Sequence, residues 1–333
     1  MEQQEGFIVK GQERKVCQLR KAIYSLKQAT LQWNKQLHKS LLEMGFTCCT
    51  ADPGTYYKIT GDMIIILLIY VNDALFMDSD KAQLLNHKKT FIKQWKSHDL
   101  GKAKEYLGMR ITRDCKAHMI TLDQTYYVEK VAKCFGQENC KEVSTPLSTR
   151  YSLRSNEGNT NPTLRSCYQL VIGSLLYIML ETRPDIAYLV IKMAQFSTNP
   201  SEEHPQRALY IVCYLSSTMN LCIWYSASGN QNGLIAYFNT DWAGDHETSC
   251  FTTGYAIFLA NSIVFWLSRQ QKRIRLSSTE AEYCDMTVMI LLLFCHTLLI
   301  SFNTSHCYWR GLCPSNLSYL LIIGPTSSFF SCV

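Results

Sequence analysis

The chain contains 333 residues, of which 47% are hydrophobic and 18% are charged, and its formal net charge is +6. This composition excludes a disordered chain and leaves room for two domains of ordinary size. The 15 cysteines are odd in number and show no repeated Cys-x-x-Cys spacing, so a reducing compartment is favoured over a disulfide framework or a zinc site. The polar N-terminal sequence lacks the apolar stretch of a secretory signal.

Helix and strand patterns alternate in the first part of the chain. Apolar residues recur at helical spacing over 31–44 and again over 80–95. Between these helices, 55–59 and Met63–Tyr70 predict two strands around a turn at 61–62. The nearly continuous apolar run of the second strand predicts burial on both faces. The remaining elements predicted before residue 143 are a hairpin formed by 106–112 and 118–122 and a helix over 123–135.

The second part of the chain changes from helices to strands. A polar, turn-rich stretch over 144–162 predicts a linker. Three helices are predicted after this linker, and they are followed by four strands and a last helix. The helices cover 164–180, a segment starting at Pro184, and 203–216; the strands cover 221–226, 233–238, 253–259 and 262–267; the last helix starts near Ser278.

The tail differs from the rest of the chain. After Asp285 the only Asp, Glu, Lys or Arg is Arg310. The apolar run over 286–302 is at the short edge of what a bilayer requires and has His296 near its centre, so we expect no membrane span. Later residues show neither helical nor strand periodicity. We therefore interpret 289–333 as an unrelated apolar tail, such as a translated out-of-frame segment.

A first group of candidate site residues lies where an apolar strand ends at Tyr70. The residues Val71, Asn72 and Asp73 form a turn, and 74–77 can return as a second strand. Nucleotidyl transfer by two metal ions needs carboxylates on a rigid element, and a hairpin tip at the end of a buried strand provides one. The alternative is a plain hairpin turn, since Asn and Asp are favoured in turns.

A second group combines a strand end with a helix start. Asn239 ends a predicted strand, and Glu282 lies in the first turn of the last predicted helix. A ribonuclease H site needs carboxylates from these two kinds of position, meeting over two metal ions. The alternative is ordinary helix N-terminal chemistry, because Ser278 and Thr279 precede Glu280.

Other polar residues carry less information. The pair Lys88-Lys89 could contact a nucleic-acid backbone, although a solvated face is an equal alternative. Four histidines show no pattern of catalytic or metal-binding partners and are expected at the surface. They are His38, His87, His204 and His246.

Several ordered boxes resemble those of copia-type reverse transcriptases over about residues 1–290. The sequence YVND at 70–73 stands where that family has YVDD. CQLRKAIYSLKQATLQW (17–33) is similar to the family's LYGLKQAPRQW box, which positions template and incoming nucleotide. LGKAKEYLGMRI (100–111) is similar to the segment that leads to the primer grip, and IGSLLYIMLETRPDIAYLV (172–190) resembles the thumb and connection.

The later strands resemble the ribonuclease H part of the same family, through FNTDWAGD (238–245), FTTGY (251–255) and SSTEAEY (277–283). The resemblance implies the fold class α+β, with a reverse transcriptase palm, thumb and connection remnant followed by a truncated ribonuclease H-like α/β domain. The implied domains are a partial palm with thumb at 1–143, a linker and helical connection at 144–220, a truncated ribonuclease H-like domain at 221–288, and the tail at 289–333.

The resemblance also assigns roles to single residues. Asp73 and Asn72 take the catalytic positions of the polymerase site, where Asn72 replaces an Asp. Glu282 and Asn239 take those of the nuclease site, where Asn239 replaces an Asp. Asp73 and Glu282 are thus the vestigial metal ligands, and Asp241 is interpreted as a loop residue. The implied nucleic-acid and nucleotide contacts are Lys27, Gln28, Tyr70 and Gly108.

The departures from the family pattern predict that both activities are lost. An amide offers one neutral oxygen where a carboxylate offers negative charge and two oxygens. The family's further polymerase Asp would lie before Met1, and its two later nuclease acids would follow Thr287, where the sequence has no Asp or Glu. We therefore expect Mg²⁺, the cofactor that the resemblance implies, not to bind as a pair.

The leading hypothesis is a retrotransposon-derived RNA-directed DNA polymerase with a ribonuclease H region that is catalytically inactive. The alternative is a non-catalytic module that binds nucleic acid or an intact Pol partner, and a third hypothesis keeps activity through a partner chain that supplies the missing half. By resemblance, the partners are an RNA or DNA template–primer, with dNTPs as the only small-molecule substrates and no membrane. The implied location is the cytoplasm, in a virus-like particle, with the nucleus as the alternative.

Overall fold

The computed structural model describes most of the chain up to residue 271 and one later strand. The chain divides into two compact units, which meet in sequence between Ala103 and Lys104. The N-terminal unit runs up to Ala103 and includes the late strand Tyr319–Gly324, and the C-terminal unit contains the other described residues. The described residues are 3, 5–18, 26, 28–61, 63–147, 154–226, 235–240, 252–259, 261–271 and 319–324.

Helices and strands are numbered here in chain order. The helices are α1 Ala29–Glu43, α2 Lys81–Trp95, α3 Thr125–Cys134, α4 Pro162–Glu181, α5 Ala187–Ala194 and α6 Glu203–Ser217. The first eight strands are β1 Thr47–Cys48, β2 Thr55–Thr60, β3 Met63–Tyr70, β4 Asp73–Asp78, β5 His98–Lys102, β6 Glu105–Tyr106, β7 Met109–Asp114 and β8 Met119–Asp123. The later strands are β9 Ile223–Ser226, β10 Ile235–Thr240, β11 Thr252–Leu259, β12 Ser262–Gln270 and β13 Tyr319–Gly324.

The N-terminal unit contains a six-stranded sheet in the order β1-β2-β3-β4-β13-β5, with antiparallel neighbours throughout. The helices α1 and α2 and the strands β2 and β3 confirm the elements predicted at 31–44, 80–95, 55–59 and 63–70. Helix α2 begins where it does because the Asp80 carboxylate accepts hydrogen bonds from the first free N–H groups, those of Ala82 and Gln83.

One hydrophobic core joins this sheet to its two helices. Ile65 and Leu67 of β3 belong to a cluster with Leu41 of α1 and Phe91 of α2. Ile64 and Ile66, which alternate with them along the strand, are also buried, at 6% and 4% exposure. The predicted burial of β3 on both faces is therefore confirmed.

The late strand β13 differs from the sequence prediction, which found no strand periodicity in the tail. Its backbone pairs with β4, where Leu321 lies opposite Phe76, and with β5, where Ile322 lies opposite Gly101. Backbone N–H and C=O groups at a sheet edge pair with an added strand through main-chain hydrogen bonds, without needing a particular alternating pattern. Periodicity therefore could not reveal this strand.

The C-terminal unit combines helices with two antiparallel sheets, β6-β7-β8-β9 and β10-β11-β12. Its core is formed by the four helices that the structure describes in this unit, α3 to α6. The largest fully buried members of this core are Tyr168, Leu175, Ile178, Ile186, Met193 and Ile211. The helices predicted at 164–180 and 203–216 are confirmed, and the one predicted from Pro184 begins with a short 3-10 turn before α5. The helix predicted from Ser278 lies outside the described residues.

Helix α4 has the length and hydropathy that could cross a membrane, and it is the one described helix with this property. Core helices of soluble proteins share these features, and Tyr168, Leu175 and Ile178 of α4 are fully buried in the helical core. The apolar run over 286–302 lies outside the described residues.

Two polar residues that the sequence placed at the surface are buried. Lys88 is 2% exposed and forms an ion pair with the Asp99 carboxylate. It follows Leu84 by four residues, so it lies on the buried face of α2 and packs its aliphatic stem there. His204 is 2% exposed, and its Nδ1 atom accepts a hydrogen bond of 2.8 Å from the backbone N–H of Ser201. The expectation of a surface position was wrong for both residues.

Candidate functional site

The best-defined candidate site is the tip of the β3–β4 hairpin. Tyr70 pairs with Asp73, which leaves a two-residue loop of Val71 and Asn72. Val71 has a φ of 50°, a left-handed backbone value that favours glycine and is uncommon for a β-branched residue. The indole N–H of Trp33 in α1 donates a hydrogen bond of 3.0 Å to the Val71 carbonyl, so α1 holds the tip.

The tip presents an amide beside a carboxylate. The side-chain oxygen of Asn72 is buried and has no hydrogen-bond partner. Asp73 is half-buried, and burial raises the pKa of its carboxyl above the usual value. The flanking residues Tyr70 and Val71 are exposed to solvent, at 57% and 54%. The hairpin therefore carries one potential anion and one neutral oxygen at its end.

This donor set does not fit a pair of divalent ions. Two ions that lie close together need several carboxylates to offset their mutual repulsion, and the tip provides one, at Asp73. Among the residues that the structure describes, no group of three or more His, Cys, Asp or Glu side chains could hold a metal ion.

The start of α1 contains another predicted contact. Gln28 is at the N-cap position with a φ of −82°, is exposed, and makes no side-chain capping bond. Its neighbour Lys27, also predicted to contact nucleotide, lies outside the described residues. The structure therefore connects α1 to the hairpin tip through Trp33, while the role of Gln28 stays a prediction.

Gly108 lies in the C-terminal unit, in the turn between β6 and β7. Leu107 and Gly108 have φ values of 51° and 72°, the two positive values of a type I′ turn. The Tyr177 hydroxyl of α4 donates a hydrogen bond to the Leu107 carbonyl. A Cβ atom on Gly108 would lie 2.9 Å from that hydroxyl oxygen, so only glycine fits without a shift. The positive φ and the nearby Tyr177 hydroxyl therefore explain why a glycine occupies this position.

We expect Gly108→Ala to lower the free energy of unfolding by about 2–3 kcal/mol, because the left-handed backbone alone costs about 1–2 kcal/mol and the Tyr177 contact adds to it. Urea denaturation measures this loss. The matched control is Gly136→Ala, which has a φ of 67° but no atom within 4 Å of the new Cβ. Equal losses in the two variants would show that the Tyr177 contact does not matter.

The second predicted site is only partly described. Asn239 lies within β10 and pairs with Gly254 of β11, one residue before the strand ends. It is exposed and lines a cleft of about 460 Å³, together with Tyr188, Tyr237 and Trp266 among others. The proposed partner Glu282 lies outside the described residues, as does Asp241.

Sequence reasoning missed an ion pair at the start of α5 between a buried arginine and a half-buried aspartate. Arg183, with 4% side-chain exposure, forms two hydrogen bonds of 2.9 and 2.7 Å with the Asp185 carboxylate. The Tyr214 hydroxyl donates to the same carboxylate at 2.8 Å, and Arg183 also donates to the Thr218 carbonyl. Burial alone would raise the pKa of Asp185, but the hydrogen bonds and charge of Arg183 hold it below the usual value. The Arg-Pro-Asp sequence was the available signal.

Comparison with known proteins places these features in context. A family model described as reverse transcriptase (RNA-dependent DNA polymerase) matches residues 1–149, which include the hairpin tip and Gly108. The chain is 36% identical over 293 residues to the retrovirus-related Pol polyprotein from transposon TNT 1-94 of Nicotiana tabacum, covering 86% of this chain and 22% of that protein. It is 36% identical over 285 residues to the corresponding polyprotein from transposon RE1 of Arabidopsis thaliana, covering 85% and 19%.

A shorter relative is matched over almost its whole length. The chain is 32% identical over 294 residues to the putative transposon Ty5-1 protein of Saccharomyces cerevisiae, covering 87% of this chain and 94% of that protein. The chain thus spans about a fifth of the length of the two plant polyproteins, at 22% and 19%. No solved structure matches the chain.

Proposed function

Because the chain belongs to the reverse transcriptase region of copia-type retrotransposon Pol polyproteins, we propose that it is an RNA-directed DNA polymerase region with a ribonuclease H part whose chemistry is lost in this copy. What it keeps, on this proposal, is the ability to bind a template–primer. The proposed location is the cytoplasm, in the virus-like-particle setting of the family.

The observation that carries the proposal is the amide at the hairpin tip. Metal ions in nucleotidyl transfer would supply activation of the attacking hydroxyl and neutralisation of the leaving group. Asp73 could contribute one carboxylate to such ions, while Asn72 contributes a neutral oxygen with no hydrogen-bond partner. The residues of the tip could therefore orient a nucleic-acid strand, but they lack the carboxylate charge that two metal ions need.

The retained binding function is supported by the surface of the same hairpin. Tyr70 is 57% exposed at the end of β3, and the hydrogen bond from Trp33 to Val71 fixes the backbone beside it. An exposed aromatic ring on a rigid element can stack on a nucleobase, which requires no metal ion. The net charge of +6 also favours binding to a polyanion such as nucleic acid.

The ribonuclease H part of the proposal rests on the later strands. Strand β10 contains the first three residues of the FNTDWAGD similarity, and β11 contains the last four of FTTGY. Their antiparallel pairing with each other, and that of β11 with β12, supports a sheet of that kind. With Asn239 on β10 in place of the family's acid, we propose that this part also lacks two-metal chemistry.

The retained binding can be tested with a fluorescent template–primer that has a single-stranded overhang. We expect binding whose affinity falls with salt, with a log–log slope steeper than about −2, because phosphate contacts release counterions. Tyr70→Ala should weaken binding about fivefold or more, the loss expected when one stacking contact disappears. Fluorescence anisotropy at several salt concentrations measures both effects.

The matched control for this experiment is Tyr126→Ala, since Tyr126 on α3 is equally exposed, at 60%. Binding that is absent or independent of salt would contradict the retained nucleic-acid function. An equal effect of the two tyrosine variants would contradict the role of the hairpin tip while leaving the binding itself intact.

A further inference from the structure

Two cysteines that are far apart in sequence are neighbours in the C-terminal unit. Cys213 lies on α6 and is 8% exposed, while Cys140 lies in the segment after α3 and is half-buried. Both residues bond to Gln137: the backbone N–H of Cys140 donates to its carbonyl at 3.5 Å, and the Cys213 thiol donates to its side-chain oxygen. Both residues are free thiols in the structure.

The backbone on both sides of Cys140 is fixed along α6. The Cys213 thiol donates a hydrogen bond of 3.2 Å to the side-chain oxygen of Gln137, three residues before Cys140. The backbone N–H of Val143, three residues after it, donates a hydrogen bond of 3.1 Å to the Ser217 hydroxyl. Cys213 and Ser217 are one helical turn apart, so both anchors lie on the same face of α6. This arrangement holds Cys140 beside Cys213.

We propose that Cys140 and Cys213 are a redox modification site that forms a reversible disulfide bond when a peroxide reaches the protein. The Cys140 thiolate, which is the more accessible, attacks the peroxide and displaces hydroxide, giving a sulfenic acid. The Cys213 thiolate then attacks that sulfur, the S–S bond forms, and hydroxide leaves. In total, two thiols lose two electrons and two protons, and hydrogen peroxide is reduced to two water molecules.

The second step is expected to limit the rate. Burial raises the pKa of the Cys213 thiol to about 12, and the neighbouring Cys140 acts in the same direction. Because thiolate is the attacking form, disulfide formation should be about tenfold faster or more at pH 9 than at pH 7. This site is therefore expected to respond to sustained oxidation rather than to brief pulses.

The disulfide should stabilise the C-terminal unit. It would close a long loop that runs from the end of α3 through α4 and α5 to α6, and a long closed loop reduces the entropy of the unfolded chain. We expect the midpoint of thermal unfolding to rise by about 5 °C or more. Treatment with dithiothreitol should reverse this rise.

The test treats the full chain with hydrogen peroxide, alkylates the remaining thiols, and maps linked peptides by mass spectrometry. The expected result is a Cys140–Cys213 peptide pair together with the thermal shift. Both should be absent in Cys140→Ser, a half-buried position where the variant is expected to fold, and in Cys213→Ala. Cys134→Ser, which removes an exposed thiol on α3, should retain both.

Two outcomes would overturn the inference. The first is a peptide map in which Cys140 is linked to Cys134, or in which Cys213 is found alkylated and therefore still reduced after peroxide treatment. The other is a thermal shift of the same size in Cys140→Ser, which would show that oxidation elsewhere causes it.

Discussion

Primer extension by the purified protein on a poly(rA)·oligo(dT) template is expected to stay at the level of a mock preparation, with Mg²⁺ or with Mn²⁺. Loss of a paired metal ion removes several kcal/mol of transition-state stabilisation, so the rate should fall at least about a thousand-fold relative to an intact enzyme of the family. An active reverse transcriptase assayed in parallel is the positive control. Extension clearly above the mock level would refute the proposed loss of chemistry.

The missing carboxylate at Asn72, which is the proposed cause of the lost activity, can be tested separately by measuring metal binding. Asn72→Asp would place a second carboxylate beside Asp73, and we expect the affinity for Mn²⁺ to rise about tenfold or more. The like charge would also raise the pKa of Asp73 further. Electron paramagnetic resonance of free Mn²⁺ measures the affinity. Asn86→Asp, which adds the same charge at an exposed position of α2, should leave it unchanged.

Wild-type protein is expected to show no paired ions at the hairpin in the same titration. Two Mn²⁺ ions bound at the tip of the wild-type protein would contradict the assignment of Asn72 as the lost ligand. An affinity that rises equally in both variants would mean that net charge, and not the geometry of the tip, determines binding.

The largest stability effect is expected for Asp185→Ala. This substitution would leave the Arg183 guanidinium buried, at 4% side-chain exposure, without its carboxylate partner. Breaking a buried pair by removing one partner costs about 3–5 kcal/mol of unfolding free energy. Urea denaturation measures the loss, and Glu129→Ala, at an exposed position of α3, should change stability by less than about 0.5 kcal/mol.

A double variant and the pH dependence of the unfolding free energy test the same ion pair further. Replacing both Arg183 and Asp185 by leucine should recover much of the loss, because no charge is then left unpaired. The pKa of Asp185 is lowered in the folded state, so its contribution is present above the unfolded value of about 3.9 and disappears as the pH falls through the folded value. As the pH is lowered below about 4, the unfolding free energy of the wild type should therefore fall more than that of Asp185→Ala. A small, pH-independent effect would contradict the buried ion pair.

Local pattern was sufficient for much of the fold. The apolar run of β3, the helical spacing in α1 and α2, and the Pro184 start of the α5 segment predicted these elements because side-chain burial follows backbone periodicity. The amide at Asn72 was also predicted directly from the sequence, because residue identity decides whether a side chain can carry a carboxylate charge. Its position at a hairpin tip was predicted from the apolar strand before it and the possible returning strand after it, and the pairing of Tyr70 with Asp73 confirms this position.

Tertiary structure decided what depends on partners distant in the chain. The ion-pair partner of the buried Lys88 is Asp99, eleven residues later, and Gly108 is restricted by Tyr177, from a helix that begins more than fifty residues later at Pro162. The strand β13 exists as an element through backbone pairing with β4 and β5, for which the tail sequence contains no periodic signal. Periodicity records which face of an element is buried, whereas ion pairs, close contacts and strand insertion depend on which segments meet, and only the folded chain determines that.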